Sequence, residues 1–168
     1  AVQVAAALPS SSDDAADAVL PLTKVTIGHL PQFSTATTLE VLQQARDVGW
    51  QGGSGEWPRM SLAARCTAIE HFLTLLEASQ QALATALMWE IGKSWPDALA
   101  EVQRTIQFSR AVLEVVRTDP DIASPGTLAA GSHRAWMRRA ALGIILCLGP
   151  YNYPLNETYA TLIPALLM

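Results

Sequence analysis

The run Leu142 to Leu148 (LGIILCL) is apolar without alternation, and Gly149-Pro150 ends it. A strand with one wet face alternates polar and apolar residues. A strand covered on both faces, as in a parallel α/β sheet, does not. The run is far too short to span a bilayer, so it places the chain in the α/β class. A parallel strand needs neighbours, and the 168 residues hold only one such run. The expectation is a chain incomplete as a domain.

Four helices precede it. Ser61 caps a helix whose Leu62, Cys66, Ile69, Phe72, Leu73 and Leu76 recur at three- and four-residue steps, one buried stripe. A second helix runs from about Gln80 to Ile91 and stops at Gly92, which supplies a left-handed cap. A third begins after Ser94, with Pro96 in its first turn and Asp97 where the helix dipole favours an acid. Its stripe is Leu99, Val102, Ile106, Ser109, Val112, Leu113 and Val116. A further helix, capped by Ser34 or Thr35, runs to about Gly49, with Leu39, Leu42 and Ala45 or Arg46 on one face. The glycines of Gln51 to Pro58 (QGGSGEWP) make a loop, and Leu155 to Met168 begins a helix containing a proline.

Residues 1–23 read as a poorly ordered arm rich in Ala, Ser and Asp, and Lys24 to Leu30 as a short edge strand closed by Pro31. The arm opens on Ala, with no basic residue before Lys24, which is not a signal-peptide pattern and points to a processed or truncated start. Residues 24–121 form a helical part. Pro125, Gly126 and Gly131 forbid a helix within 122–140, whose apolar content is too low for a buried strand. That segment is expected to protrude, with His133 to Met137 exposed. Residues 141–168 are the sheet strand and its following helix.

Half of the chain is hydrophobic and 15% is charged, ample for a core, and the formal charge is −4 with no basic run. Nucleic acid and membrane surfaces are therefore not expected partners. Cys66 and Cys147 make no disulfide framework, and the scattered His29, His71 and His133 no metal set. Both cysteines lie on apolar elements, a poor setting for a thiolate nucleophile.

Ligands of open α/β sheets gather at the carboxyl ends of the strands, here Leu148 to Pro154. Asn152 sits there between two prolines and two tyrosines. Its NH₂ can donate to an oxyanion developing on a substrate carbonyl, or its side chain can simply cap the next helix or make a turn.

Three segments together carry a family resemblance: GEWPRMSLAARCTAIEHF, MWEIGKSWPDALAEVQRT and GPYNYPLNETYATLIPAL. They resemble, in order, a helix, the Glu-x-Gly-Lys stretch and the oxyanion-asparagine segment of the aldehyde dehydrogenase superfamily, over about residue 25 to the end. The Asn-Tyr pair, Glu-Val-x-Arg-Thr and Gly-Glu-Trp-Pro are most similar to the non-phosphorylating, NADP-dependent glyceraldehyde-3-phosphate dehydrogenases. The resemblance implies the N-terminal part of that fold: helices plus the first strand of a Rossmann-like parallel sheet, in a cofactor-binding domain. Asn152 then matches the oxyanion donor. Tyr153 and Arg104 match substrate-binding positions, Arg104 toward the phosphate, which its planar fork of donors suits. Arg104 also reads as a helix arginine paired with Glu101 or Glu114. Leu148, Gly149, Pro150 and Tyr151 match the backbone lining the nicotinamide of NADP, with NAD as the other option; no residue matches a metal ligand.

The resemblance further implies an aldehyde substrate, a homodimer or homotetramer built through residues 122–140, and a cytoplasmic enzyme or one of an organelle stroma or matrix. The family's cysteine nucleophile and glutamate base would lie past Met168, so the 168 residues alone are expected to be inactive. Two features depart from the pattern. Arg139-Ala140-Ala141-Leu142-Gly143 lacks the usual proline, and the leading hairpin shrinks to little more than residues 24–30. The competing reading is a non-catalytic, dehydrogenase-derived segment serving as a structural subunit of a larger assembly.

Overall fold

The computed structural model describes residues 2–7, 22–29, 32–119, 122, 126–137 and 139–168. Its centre is a helical core. Helix α3 (Leu62–Ala78), α4 (Gln80–Ile91), α5 (Trp95–Thr118) and α6 (Pro154–Leu167) supply the buried apolar side chains. They follow α1 (Thr35–Gln44) and the single turn α2 (Glu56–Arg59).

The expected caps are present. The Ala64 N–H donates to Ser61 Oγ at 3.1 Å and the Asp97 N–H to Ser94 Oγ at 3.3 Å, each satisfying one orphan amide of a first turn. Gly92 closes α4 at φ 71°, donating its N–H to the Met88 carbonyl. That conformation costs a residue with a Cβ but not glycine.

The stripes read from the periodicity face inward. Cys66, Ile69, Leu73 and Leu76 of α3 meet Val102, Ile106, Leu113 and Val116 of α5, with Ile163 and Leu167 of α6 in the same cluster. Each such aliphatic side chain stabilises by roughly 1.5–3 kcal/mol on full burial, and α4 packs on α5 beside them with Ala84 and Leu87 buried. Helix α1 contributes none of this: Leu39 and Leu42 are exposed. It begins at the expected Ser34 cap, donated to by Thr37 N–H at 3.1 Å, and its last turns widen into a π-helix over Ala45–Trp50.

Three sequence readings are refined. Val2–Ala7 (β1) is a strand rather than an irregular arm, antiparallel to β2 (Leu22–Gly28). Its ladder partner lies some twenty residues on, where local composition gives no sign of it; residues 8–21 lie outside the described residues. The segment expected to protrude holds an antiparallel hairpin, β3 (Gly126–Ala130) against β4 (His133–Met137), and β4 is exposed throughout. Leu142–Leu148 pairs with no strand among the described residues. Leu142 is 93% and Leu148 76% exposed, and Cys147 is half-buried rather than covered on both sides. A parallel ladder needs a neighbouring strand in the right direction, and the described strands are taken up in the two antiparallel hairpins.

No helix among the described residues is long and apolar enough to cross a membrane.

Candidate functional site

The site is built at the start of α6. Pro154 opens the helix, a position where its missing N–H costs nothing, and the residue before it, Tyr153, makes no side-chain cap. The amides of Leu155 and Asn156 would then be orphaned. Instead both donate to Glu101 Oε1, at 3.0 and 3.1 Å. Glu101 reaches them from α5, more than fifty residues earlier in the chain, and its side chain is fully buried.

A buried carboxylate is costly unless paired and hydrogen-bonded. Glu101 has three partners. Its Oε2 accepts from Lys93 Nζ in a salt bridge, its Oε1 takes the two amides, and the positive end of the α6 dipole faces it. Lys93 does a second thing: its ammonium lies 3.7 Å from the centroid of the Tyr153 ring, a cation–π contact. Thr105, one turn along α5, donates to the Glu101 carbonyl at 2.9 Å and approaches Asn156 Oδ1 at 3.4 Å.

This arrangement bears on Asn152. Its side chain is exposed and makes no hydrogen bond among the described residues, while the capping acceptor of α6 is supplied by Glu101. Tyr153, beside it, is held under Lys93. Arg104 lies on the exposed side of α5 with its guanidinium carbon 5.9 Å from the same ring. Of the two acids expected to pair with it, Glu101 is engaged by Lys93, and neither Glu101 nor Glu114 makes an ion pair with Arg104 among the described residues. Lys93 and Arg104 therefore both approach the ring of Tyr153, the residue that follows Asn152. Leu148, Gly149, Pro150 and Tyr151 run exposed ahead of the turn, with Gly149 pressed onto the first turn of α6.

In the sequence Lys93 reads only as part of the Glu-x-Gly-Lys stretch at a helix end, and Glu101 only as one of two acids, with Glu114, that could pair with Arg104. One signal was available. Glu101 falls among Ala98, Val102, Thr105 and Ser109 on the inward stripe of α5, and an acid on such a stripe must find a partner inside.

Cys66 is buried in the core and belongs to no such cluster. A cleft of about 550 Å³ between α3 and α5 is lined by Glu70, His71, Arg110 and Arg117 among others. It shares no residue with the Asn152 turn.

The family model of the aldehyde dehydrogenases matches residues 8–168. The chain belongs to the aldehyde dehydrogenase family. Among curated relatives, the N-succinylglutamate 5-semialdehyde dehydrogenase of Yersinia pestis (strain Pestoides F) is 32% identical over 111 residues, covering 66% of this chain and 21% of the relative. The NADP-dependent glyceraldehyde-3-phosphate dehydrogenase of Streptococcus equinus is 26% identical over 150 residues, covering 88% and 30%. The solved structure of glyceraldehyde-3-phosphate dehydrogenase GapN from Methanocaldococcus jannaschii, complexed with NADP, superposes with a TM-score of 0.72 at 20% identity, over 85% of this chain and 29% of that one. At that identity the match shows the aldehyde dehydrogenase fold. The chain thus spans about a fifth to a third of the length of the relatives it matches.

Proposed function

We propose that this chain forms one wall of the active site of an NADP-dependent aldehyde dehydrogenase that oxidises glyceraldehyde 3-phosphate to the acid. The observation that carries the reading is the exposed amide of Asn152, without a hydrogen bond among the described residues, at a helix start whose capping is supplied by Glu101. An asparagine not needed by the backbone is available to a substrate.

In this reading Asn152 Nδ2 donates to the aldehyde oxygen and binds it more tightly as it gains negative charge, so its effect falls on the transition state. Arg104 offers its free guanidinium to the substrate phosphate, a group that does not react, and Tyr153 holds the substrate beside it. The exposed Leu148–Tyr151 stretch lines the nicotinamide face of the cofactor: its backbone joins no ladder among the described residues and its Leu148 and Tyr151 side chains are open. NADP, or NAD in its place, supplies the hydride acceptor when bound. The amides of Leu155 and Asn156 already serve Glu101 and are not left for a phosphate. The family's cysteine nucleophile, whose thioester is then hydrolysed, and its glutamate base are not assigned to any residue of this chain.

Steady-state kinetics of the enzyme carrying this chain test the reading. Asn152→Ala is expected to lower kcat by about 10²–10³ with little change in KM. Arg104→Ala is expected to raise KM for glyceraldehyde 3-phosphate and leave unphosphorylated glyceraldehyde nearly unaffected. Equal losses on both substrates would make Arg104 a plain helix residue and remove the phosphate assignment. Full turnover in Asn152→Ala would favour the non-catalytic, structural reading instead.

A further inference from the structure

We infer that Lys93 and Glu101 are positioning residues for the oxyanion donor: a buried ion pair that sets where the Asn152-Tyr153 turn sits against α5. The inference rests on the proposed role of Asn152. Three observations meet in one place. Glu101 takes both free amides of the first turn of α6, the residues directly behind the Asn152-Tyr153-Pro154 turn. Lys93 neutralises that carboxylate and covers the ring of Tyr153, the neighbour of Asn152. Asn152 itself makes no side-chain hydrogen bond among the described residues.

The position of the donor is therefore inherited from its neighbours. On its helix side the turn is tied to α5 through Glu101, and through Tyr153 it is tied to the residue just after the Gly92 cap. Without the pair, the start of α6 would be held by apolar packing, which is less directional than hydrogen bonds to a charged group, and by the long 3.4 Å contact of Thr105 with Asn156. An oxyanion donor works only at hydrogen-bond distance from where charge develops, and displacement by about 1 Å can cost on the order of 10² in rate.

The test is a double-mutant cycle between Glu101 and Asn152 in the intact dehydrogenase carrying this chain, read by kcat and KM. Glu101→Ala is expected to lower kcat by about 10–10² while KM changes little. In an Asn152→Ala background the same change should cost less than about threefold, because residues acting through one another are not additive. Glu101→Gln keeps an acceptor oxygen for the two amides and should recover most of the lost turnover. Should Glu101→Ala fail to fold, Lys93→Met with Glu101→Leu takes its place in the cycle, since removing both charges leaves none buried and unpaired. Additive losses in the cycle, or a Gln variant as slow as Ala, would overturn the positioning role and leave Asn152 as donor. An Asn152→Ala enzyme with full turnover would overturn both readings together.

Discussion

At Gly149 an added methyl group would lie 2.1 Å from Thr158 Oγ1 and 3.1 Å from the Pro154 carbonyl oxygen. Thr158 cannot simply turn away at no cost, since its hydroxyl donates to that same carbonyl at 2.6 Å. Only a residue without a Cβ lets the segment carrying Asn152 pass this close to α6. Gly149→Ala should destabilise by about 1–3 kcal/mol, the usual cost of overpacking, read by urea unfolding. Adding Thr158→Ala should return part of the loss, because the worst contact goes while the backbone contacts stay tight. A Gly149→Ala variant as stable as the parent would show that this close approach does not constrain residue 149. The same glycine is proposed to face the nicotinamide, and the two demands agree: both need backbone where a side chain would stand.

Helix α6 is held at both ends by side chains of other elements. Its N-terminal amides go to Glu101, and its C-terminal carbonyls are met from α2 and α3. Trp57 Nε1 donates to the Leu166 carbonyl at 2.9 Å, and Arg65 donates through Nε and Nη2 to the Leu167 carbonyl at 3.2 and 3.1 Å. These contacts matter because Pro164 inside the helix has no N–H and weakens its own ladder. A cation at a helix C-terminus also complements the dipole. Arg65→Met keeps much of the apolar stem but removes the donors. It is expected to cost about 1.5–3 kcal/mol, the range for hydrogen bonds from a charged group, with faster amide exchange in α6. Unchanged exchange there would mean that Ile163 and Leu167 alone anchor the helix.

Across the whole molecule, α3 and α5 are bridged on their wet side by Glu70–Arg117 and Glu77–Arg110, at 2.5 and 2.6 Å. The hydrogen bond from Arg117 holds the Glu70 carboxyl below its ordinary value of 4.5, against an opposing push from desolvation. A carboxylate depressed in the folded state contributes stability above the unfolded value and loses it as the pH falls through the folded one. Thermal unfolding of the parent should therefore weaken below about pH 4.5, and Glu70→Gln should show a shallower decline. The effect should be small because the pair is exposed; an identical decline in the two proteins would show that the pair contributes nothing. A larger effect is expected from the apolar surface. Leu142, Leu146 and Leu148 stand exposed beside a backbone with no ladder partner among the described residues, the setting in which chains associate. Size-exclusion chromatography of the 168-residue chain should show concentration-dependent association, reduced by Leu146→Lys with Leu148→Lys. A sharp monomer peak at high concentration would refute this.

The helices were legible in the sequence because their signals are local. The Ser61 and Ser94 caps, the Gly92 stop and the stripes of α3 and α5 depend on hydrogen bonds and faces repeated within a few residues, so the chain specifies them without knowing its fold. Tertiary structure decided what local pattern leaves open. Val2–Ala7 is a strand only because Leu22–Gly28 lies against it, and Leu142–Leu148, a strand by composition, has no described neighbour to pair with. The site shows the same division. Asn152 could be singled out from its setting between two prolines, but a capping asparagine and a free one have the same neighbours in sequence. Which it is turned on Glu101, whose amide partners lie 54 and 55 residues away, and a carboxylate's choice between Arg104 one turn along and a helix end across the core is settled only where packing excludes water and makes the unpaired alternative too costly.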